Sequence, residues 1–394
     1  MTTMRDVLRG GPTIAADAAV GLIDLVEHMH ATIGHRPGVL GPAHDAPTAG
    51  VTRLVYQSLR GATRILGRGA GVGLGAVGTL LEDRGPSPAL ETFVSVLNGV
   101  HGDYLERTAN PLAIEMRLRR DGRPVDPAEL ARADVTGKAL VLVHGLCLND
   151  LQWLRDGHDH GRALARDLGY TPLYLHYNGG LHVSTNGRGL AAALEQLVGQ
   201  WPVALDELVI VGHSMGGLVA RSACHYARLA AHAWLRHLRA MVFLGTPHHG
   251  APLERGGNRL DFLLALSPYS APFTRLGRLR SAGITDLRYG NLCDEDWQHG
   301  DRFALGSDRR TPVPLPDAVA CFAAAALLGK RRGPLRDRLV GDGLVPLDSA
   351  LGHHRRPELA LNIPAARQWV GDGLGHLDLL ASRELCARLS SWLG

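Results

Sequence analysis

Short apolar runs alternate with segments of helical apolar spacing through the middle of the chain. The runs predict strands, at 138–143, 171–176, 207–211 and 239–244. The segments between them predict helices, at 150–168, 187–200 and 216–230. Two further strands are expected at 319–328 and within 359–370. Such alternation is typical of an α/β protein with a mostly parallel central sheet and helices on both faces.

The beginning of the chain has a different pattern. Helical apolar spacing at 14–33 and 51–66 is separated by a Pro- and Gly-rich linker at 36–50. Glycines then recur every four residues within 66–81, which on a helix would form one small-residue face. These N-terminal helices suggest contact with a membrane surface or cover for a functional site. The alternative is that they pack against the α/β core or against a second copy of the chain.

Between this beginning and the alternating region, two local signals set a domain boundary. Ser87-Pro88 predicts the start of a helix that runs towards Arg107. Residues 112–119 alternate as an edge strand, and Asp121-Gly122 is a hairpin signal. We therefore predict a helical N-terminal extension over residues 1–110 and an α/β domain over residues 111–394.

The segment at about 251–310 interrupts the strand–helix alternation. It is rich in Gly, Pro, Arg and Leu, and we expect it to form a cap or lid with an apolar face. The residues of that face are Leu260, Phe262, Leu263, Leu264, Leu266 and Phe273. The alternative is a surface excursion with its own small core.

One predicted strand leads into a candidate catalytic motif. The β-branched run 208–211 is followed by Gly212-His213-Ser214-Met215-Gly216 and then by an alanine-rich helical stretch. A G-x-S-x-G sequence between strand and helix is typical of a nucleophile elbow, a strained turn that exposes one serine hydroxyl. Ser214 is therefore the candidate nucleophile.

A serine nucleophile needs donors for the developing oxyanion. The apolar run 138–143 leads into His144-Gly145-Leu146, which places the Leu146 N–H where an oxyanion loop is expected. The N–H of Met215, the residue after the nucleophile, is the second candidate donor. We expect His144 to hold this loop by hydrogen bonds rather than to take part in the chemistry.

The remaining partners are expected in the order acid, then histidine. Asp342 lies in a glycine turn, and His376 lies in a glycine-flanked loop before the last predicted helix. His376 is the candidate base and Asp342 its orienting acid. Asp372 is the main rival for the acid, but it lies only four residues before His376 and would share its loop. His213 is expected to pack beside the nucleophile without a catalytic role.

Composition limits the other classes of function. The hydrophobic fraction of 45% and the charged fraction of 20% are those of a globular protein. The net charge is only +4 and accompanies no recognisable nucleic-acid-binding module, so we expect no nucleic-acid partner. An uninterrupted apolar N-terminal region and a run of about 18 apolar residues are both missing from the sequence. Cytoplasmic residence is the expectation, with secretion of a mature form left open.

Cysteine and histidine patterns indicate neither a disulfide framework nor a cofactor. The five cysteines are scattered and odd in number, without a C-x-x-C. His158-Asp159-His160 and His248-His249 have no recognisable four-ligand spacing, so we expect no metal, and the presence of a structural metal stays open.

Five segments together resemble the α/β-hydrolase superfamily, in particular its bacterial lipase and esterase branch. They begin at Val143, Gly212, Leu244, Gly341 and Gly375, and they read V-H-G-L, G-H-S-M-G-G, L-G-T-P-H-H-G, G-D-G-L-V-P and G-H-L. The resemblance covers roughly residues 135–394. It implies a serine hydrolase that cleaves carboxylic esters, including lipid-like ones, through Ser214, Asp342 and His376, without a cofactor.

Other functions stay open at this point. The same triad serves thioesterases, amidases and acyltransferases, because selectivity resides in the pocket and lid. A different class would be a non-catalytic, membrane-associated scaffold. The sequence indicates neither acyl-chain length nor oligomeric state.

Overall fold

A computed structural model of the chain describes residues 88–126, 130, 135–251, 281–298, 308–329 and 341–394. The helices predicted before residue 88 lie outside the described residues. Most of the expected lid, at 252–280 and 299–307, lies outside them too. The N-terminal extension and the lid therefore stay predictions.

An eight-stranded sheet forms the centre, in the order β2-β1-β4-β3-β5-β6-β7-β8. The strands are β1 (Arg117–Arg120), β2 (Arg123–Pro124), β3 (Lys138–Val143), β4 (Thr171–His176), β5 (Glu207–His213), β6 (Leu238–Leu244), β7 (Ala320–Leu327) and β8 (Gln368–Asp372). Strands β3 to β8 pair in parallel, whereas β1 and β2 form an antiparallel edge. The mostly parallel sheet is confirmed.

Helices cover both faces of this sheet, as the alternation predicts. The helices are α1 (Pro88–Arg107), α2 (His160–Leu168), α3 (Val183–Gly199), α4 (Met215–Leu229), α5 (Ala282–Asp286), α6 (Leu347–Ala350) and α7 (Arg383–Leu393). Short 3₁₀ turns lie at Asp150–Trp153, Ala233–Arg236, Asp294–Asp296, Pro357–Leu359, Ala365–Arg367 and Asp378–Leu380.

Two apolar cores lie on opposite faces of the sheet. Val141 of β3 packs in one core with residues of α3 and α4, such as Leu190 and Leu218. Leu142, the next residue of β3, packs in the other core with α2 and α7. Because successive side chains of a strand point to opposite faces, one apolar strand supplies both cores. This explains why the central strands are continuously apolar instead of alternating.

The helix expected over 150–168 is interrupted in the structure. A 3₁₀ turn ends at Trp153, and a regular helix begins only at His160. Between them Asp156 and Gly157 have positive φ angles of 50° and 69°, which a helix cannot accommodate. Asp159 then caps the new helix by accepting a hydrogen bond from the Arg162 N–H.

The strand expected within 112–119 forms only from Arg117 onwards. The side chain of Asn98 explains the late start, since it donates to the Leu112 carbonyl and accepts from the Ile114 N–H. The Leu112 carbonyl and the Ile114 N–H are therefore not available for pairing with a neighbouring strand. The hairpin turn predicted at Asp121-Gly122 is confirmed by the pairing of β1 with β2.

Helix α1 forms hydrogen bonds with the α/β domain, although it precedes residue 110. In addition to the Asn98 contacts, the Ser281 hydroxyl donates to the Gly99 carbonyl, and the Asn178 amide donates to the Gly102 carbonyl. The division at residue 110 stays a prediction, because the rest of the expected extension is not described. Among the described residues, no helix is long and apolar enough to cross a membrane.

Two glycines of α3 provide a matched test of the α3–α4 packing. A Cβ at Gly187 would lie 2.2 Å from Ser222 Oγ and 2.9 Å from the Ser222 carbonyl carbon, whereas one at Gly199 would meet nothing within 4 Å. We expect Gly187→Ala to lower the free energy of unfolding by about 1–3 kcal/mol through overpacking. Gly199→Ala should leave it unchanged or raise it by up to about 1 kcal/mol. Urea denaturation measures both, and equal effects would contradict the described packing.

Candidate active site

Ser214 lies in a strained turn between β5 and α4. Its φ and ψ are 54° and −126°, a combination that residues with a side chain rarely adopt. Such strain costs about 1–3 kcal/mol and persists only where the surroundings enforce it. The structure thus has the local geometry expected of a nucleophile elbow.

The glycines around Ser214 are required by close backbone contacts. A Cβ at Gly212 would lie 2.6 Å from the Gly217 Cα, and one at Gly216 would lie 2.2 Å from the Val143 carbonyl oxygen. Neither neighbour is a flexible side chain that can move aside. The two glycines of the G-x-S-x-G sequence therefore allow the helix to start directly against β3 and β5.

Asp342 and His376 form a buried hydrogen-bonded pair. The His376 Nδ1–H donates to Asp342 Oδ2 at 2.7 Å, and the His376 backbone N–H donates to the Asp342 carbonyl at 3.1 Å. The other carboxylate oxygen, Oδ1, accepts from the backbone N–H groups of Leu344 and Val345. The aspartate is therefore fixed by its own turn while it orients the imidazole.

The rival aspartate lies elsewhere. Asp372 ends β8, and its side chain is exposed. The structure thus brings Asp342, and not Asp372, to the imidazole of His376.

Ser214 and His376 both lie against the end of β6. The Ser214 N–H donates to the Leu244 carbonyl at 2.8 Å, and a Cβ on the next residue, Gly245, would lie 3.1 Å from His376 Nδ1. Among the described residues, no hydrogen bond joins the Ser214 hydroxyl to His376. Catalytic hydrogen bonds of this kind are often long until substrate is bound.

The two candidate oxyanion donors lie on either side of Ser214. Met215 begins α4, so its N–H has no acceptor within the helix. Leu146 follows Gly145, whose added Cβ would lie 2.9 Å from the Ser214 Cβ. An added Cβ at Gly179 would lie 3.4 Å from the Met215 side chain and 3.6 Å from that of Leu146, so both residues line one space.

His144 holds the loop that carries Leu146. Its Nδ1–H donates to the Gly145 carbonyl at 2.8 Å, and its ring stacks on Tyr177 with centroids 4.3 Å apart. The Tyr177 hydroxyl donates to the His144 carbonyl. Burial lowers the pKa of His144 to about 3, so the ring is neutral. The structural role expected for His144 matches these contacts.

His213 has a role beyond packing that the sequence does not reveal. Its Nε2–H donates to the His376 carbonyl at 3.2 Å, and the two rings lie 4.8 Å apart. Burial, with the nearby His376 as a second cause, holds the pKa of His213 well below its usual range. His213 therefore positions the His376 loop as a neutral donor. No spacing rule indicates a contact between residues so far apart in the chain.

The cysteines offer no competing nucleophile. All five are free thiols, and Cys147, the one nearest the oxyanion loop, has its pKa raised to about 12 by burial. A thiol with such a pKa is protonated at neutral pH and is a poor nucleophile.

A known family model matches part of the chain. Residues 191–307 match the family described as the PGAP1-like alpha/beta domain. The chain has the α/β-hydrolase fold. The strained serine between β5 and α4 and the later Asp342–His376 pair are typical of that fold. The comparison with curated proteins gives no significant match.

Several solved structures of a lipase, an esterase and a phospholipase are similar to this chain. The mature form of the Bacillus licheniformis lipase BlEst2 is 19% identical, with 71% of this chain and 97% of that chain covered and a TM-score of 0.43. The Pyrococcus furiosus esterase Pf2001 is 17% identical, with coverages of 66% and 81% and a TM-score of 0.38. The phospholipase PlaB from Legionella pneumophila is 15% identical, with coverages of 54% and 45% and a TM-score of 0.35.

The buried histidines predict a loss of stability in acid. The pKa of His144 is lowered to about 3, and burial also lowers those of His213 and His248 well below their usual range. In the unfolded chain each has a pKa of about 6.5. Below that pH the unfolded state binds protons that the folded state does not. Each histidine then removes up to about 1.4 kcal/mol of stability per pH unit.

We expect the urea midpoint to fall between pH 7 and pH 5 and, for the His144 contribution, to continue falling towards pH 3. His144→Gln should reduce the pH slope of the unfolding free energy by about one proton. A slope identical to that of the wild type would show that His144 is not buried in its neutral form.

Proposed function

We propose that the protein is a serine hydrolase that cleaves carboxylic esters through an acyl-enzyme. The observation that carries this proposal is the buried Asp342–His376 hydrogen bond, which meets the end of β6 where the strained Ser214 is also hydrogen-bonded. Each of the three groups matches the role that acyl transfer requires: a nucleophile, a base and an acid that orients the base.

In the first step His376 acts as the general base. Its Nδ1–H is held by Asp342, so the neutral ring has its lone pair on Nε2. Nε2 takes the proton of the Ser214 hydroxyl as the oxygen attacks the ester carbonyl. Asp342 then stabilises the imidazolium, which donates the proton to the departing alcohol.

The N–H groups of Leu146 and Met215 stabilise the tetrahedral oxyanion. Removal of one such donor typically lowers the rate by about 10² to 10³. In the second step water repeats the attack, since His376 removes a proton from water and returns it to Ser214. The products are a carboxylic acid, an alcohol and the free enzyme.

Other acyl acceptors and donors use the same groups. A thioesterase, an amidase or an acyltransferase would need no change in Ser214, His376 or Asp342, so ester specificity is a proposal about the pocket. Contact of the N-terminal helices with a membrane surface is likewise a proposal. A non-catalytic scaffold would not require the buried Asp–His hydrogen bond. A histidine without such a partner would serve that role equally well.

The test of ester hydrolysis is a series of p-nitrophenyl esters from acetate to palmitate, with wild type and Ser214→Ala in parallel. We expect hydrolysis by the wild type and loss of turnover in Ser214→Ala, with circular dichroism and Tm unchanged. A maximum at long chains would indicate a lipase and one at two to four carbons an esterase. Hydrolysis that persists in Ser214→Ala would contradict the nucleophile. The absence of serine-dependent hydrolysis of any ester would overturn ester specificity.

The acid is tested by a matched pair of variants. Asp342→Asn should lower kcat by about 10⁴, because an amide no longer stabilises the imidazolium and favours the wrong histidine tautomer. Asp372→Asn, at the exposed end of β8, should leave kcat within about twofold of the wild type. The reverse pattern would assign the acid role to Asp372. Burst kinetics with an ester that has a good leaving group would show whether the variant affects formation or hydrolysis of the acyl-enzyme.

A further inference from the structure

A cluster of three metal-ligating side chains lies away from Ser214, between α2 and α7. His158 precedes α2, His160 is its first residue, and Cys386 lies in the first turn of α7. One nitrogen of each histidine and the Cys386 sulfur all lie within 4.8 Å of one another, and all three residues are buried. The sequence presents only the two histidines as neighbours, which is why their spacing did not predict a complete site.

The backbone holds both histidines in place. His158 is locked by two reciprocal backbone hydrogen bonds with Arg155, each 2.8 Å long. Asp159, between the histidines, is committed elsewhere, since its Oδ1 accepts from the Arg162 N–H and from the Tyr174 hydroxyl. The two imidazoles therefore extend from fixed points on either side of a helix cap.

The hydrogen bonds of His160 determine which of its nitrogens can bind a cation. His160 Nε2 lies 2.8 Å from the Leu379 carbonyl oxygen, and only a protonated nitrogen can donate there. In the neutral ring the lone pair is then on Nδ1, which faces His158 Nε2 at 3.0 Å. A carbonyl that orients the far nitrogen of a histidine is typical of metal-binding imidazoles.

We propose that His158 Nε2, His160 Nδ1 and the Cys386 thiolate bind one zinc ion. Two nitrogens on tetrahedral zinc lie about 3.3 Å apart, and nitrogen and sulfur about 3.6 Å apart, from bond lengths of about 2.05 and 2.3 Å. His158 Nε2 and His160 Nδ1 are 3.0 Å apart, and the Cys386 sulfur lies within 4.8 Å of one nitrogen of each histidine, so small side-chain adjustments would complete the site. Imidazole and thiolate ligands favour zinc over magnesium or calcium, which prefer oxygen.

Zinc binding would change the protonation of Cys386 and the tautomer of His158. The Cys386 thiol releases its proton to solvent when the sulfur binds zinc. His158 stays neutral, and its proton moves from Nε2 to Nδ1 through solvent, so that Nε2 donates its lone pair to the metal. Neither His158 nor Cys386 is fully enclosed, at 9% and 7% exposure, so a water molecule completes the tetrahedron.

The role assigned to this zinc is structural. It would join the start of α2 to α7, and the carbonyl of Leu379, which orients His160, lies three residues after His376. The ion would therefore stabilise the position of α7 and of the end of the loop that carries His376, the candidate base. It takes no part in acyl transfer, and the proposal does not depend on the substrate.

Cobalt titration tests this site directly, with untagged full-length protein, a thiol-free reductant and prior removal of metals by a chelator. We expect one Co²⁺ per chain, with tetrahedral visible absorption and a thiolate-to-cobalt charge-transfer band in the near ultraviolet. Zinc should displace the cobalt and remove both signals. Zinc at about 100 times its Kd should also raise the Tm by about 5 °C. If wild type gives no charge-transfer band, the proposal is wrong, whatever the variants do.

Two alanine variants locate the ligand. Cys386→Ala should abolish the charge-transfer band and the zinc-dependent rise in Tm, whereas Cys321→Ala, at another buried cysteine, should retain both. His160→Gln should weaken cobalt binding at least about 10-fold, since even loss of a group that orients a ligand typically costs about 10- to 100-fold. A band that survives in Cys386→Ala would place the metal elsewhere and overturn the assignment. If a variant fails to fold, metal-dependent protection of the Cys386 thiol from alkylation in the wild type decides, since the proposal requires protection.

Discussion

The structure depends on one close approach of backbone to backbone. Where β5 turns into α4, Gly216 lies so near the Val143 carbonyl that an added Cβ would be 2.2 Å from the oxygen. This contact fixes the start of α4 against β3, and with it the free N–H of Met215 beside the loop that carries Leu146. The positive φ of Ser214 is the conformational cost of the same turn. The two parallel-strand cores on either side supply the rigidity that maintains it.

Burial then determines the charges around the candidate site. His144 and His213 are neutral because a cation would lose its hydration there. A neutral His213 donates to the His376 carbonyl, and under the proposed function it would not repel the positive charge that His376 acquires. Under the same proposal Asp342, which is hydrogen-bonded to His376 Nδ1, would stabilise that charge. The proposed mechanism thus pairs one carboxylate with one transient imidazolium, beside the neutral rings of His144 and His213.

The sequence allowed much of this arrangement to be predicted. The apolar runs located the parallel strands, because a strand buried on both faces must be apolar throughout. It did not reveal where side chains interrupt local patterns. Asn98 occupies the backbone groups that a strand at residue 112 would need, and the Asp156-Gly157 turn divides the helix expected over 150–168. Both depend on competition between hydrogen-bonding partners, which periodicity does not record.

The sequence by itself determined the order of the elements and the identity of the strained serine, since strand, glycine and helix signals are local. Only the tertiary structure decided that Asp342 rather than Asp372 meets His376, because both aspartates lie in the same local sequence, Gly-Asp-Gly. It alone brought Cys386 to the two histidines before α2. Contacts between distant segments follow from strand order and core packing, and these are settled only when the whole chain has folded.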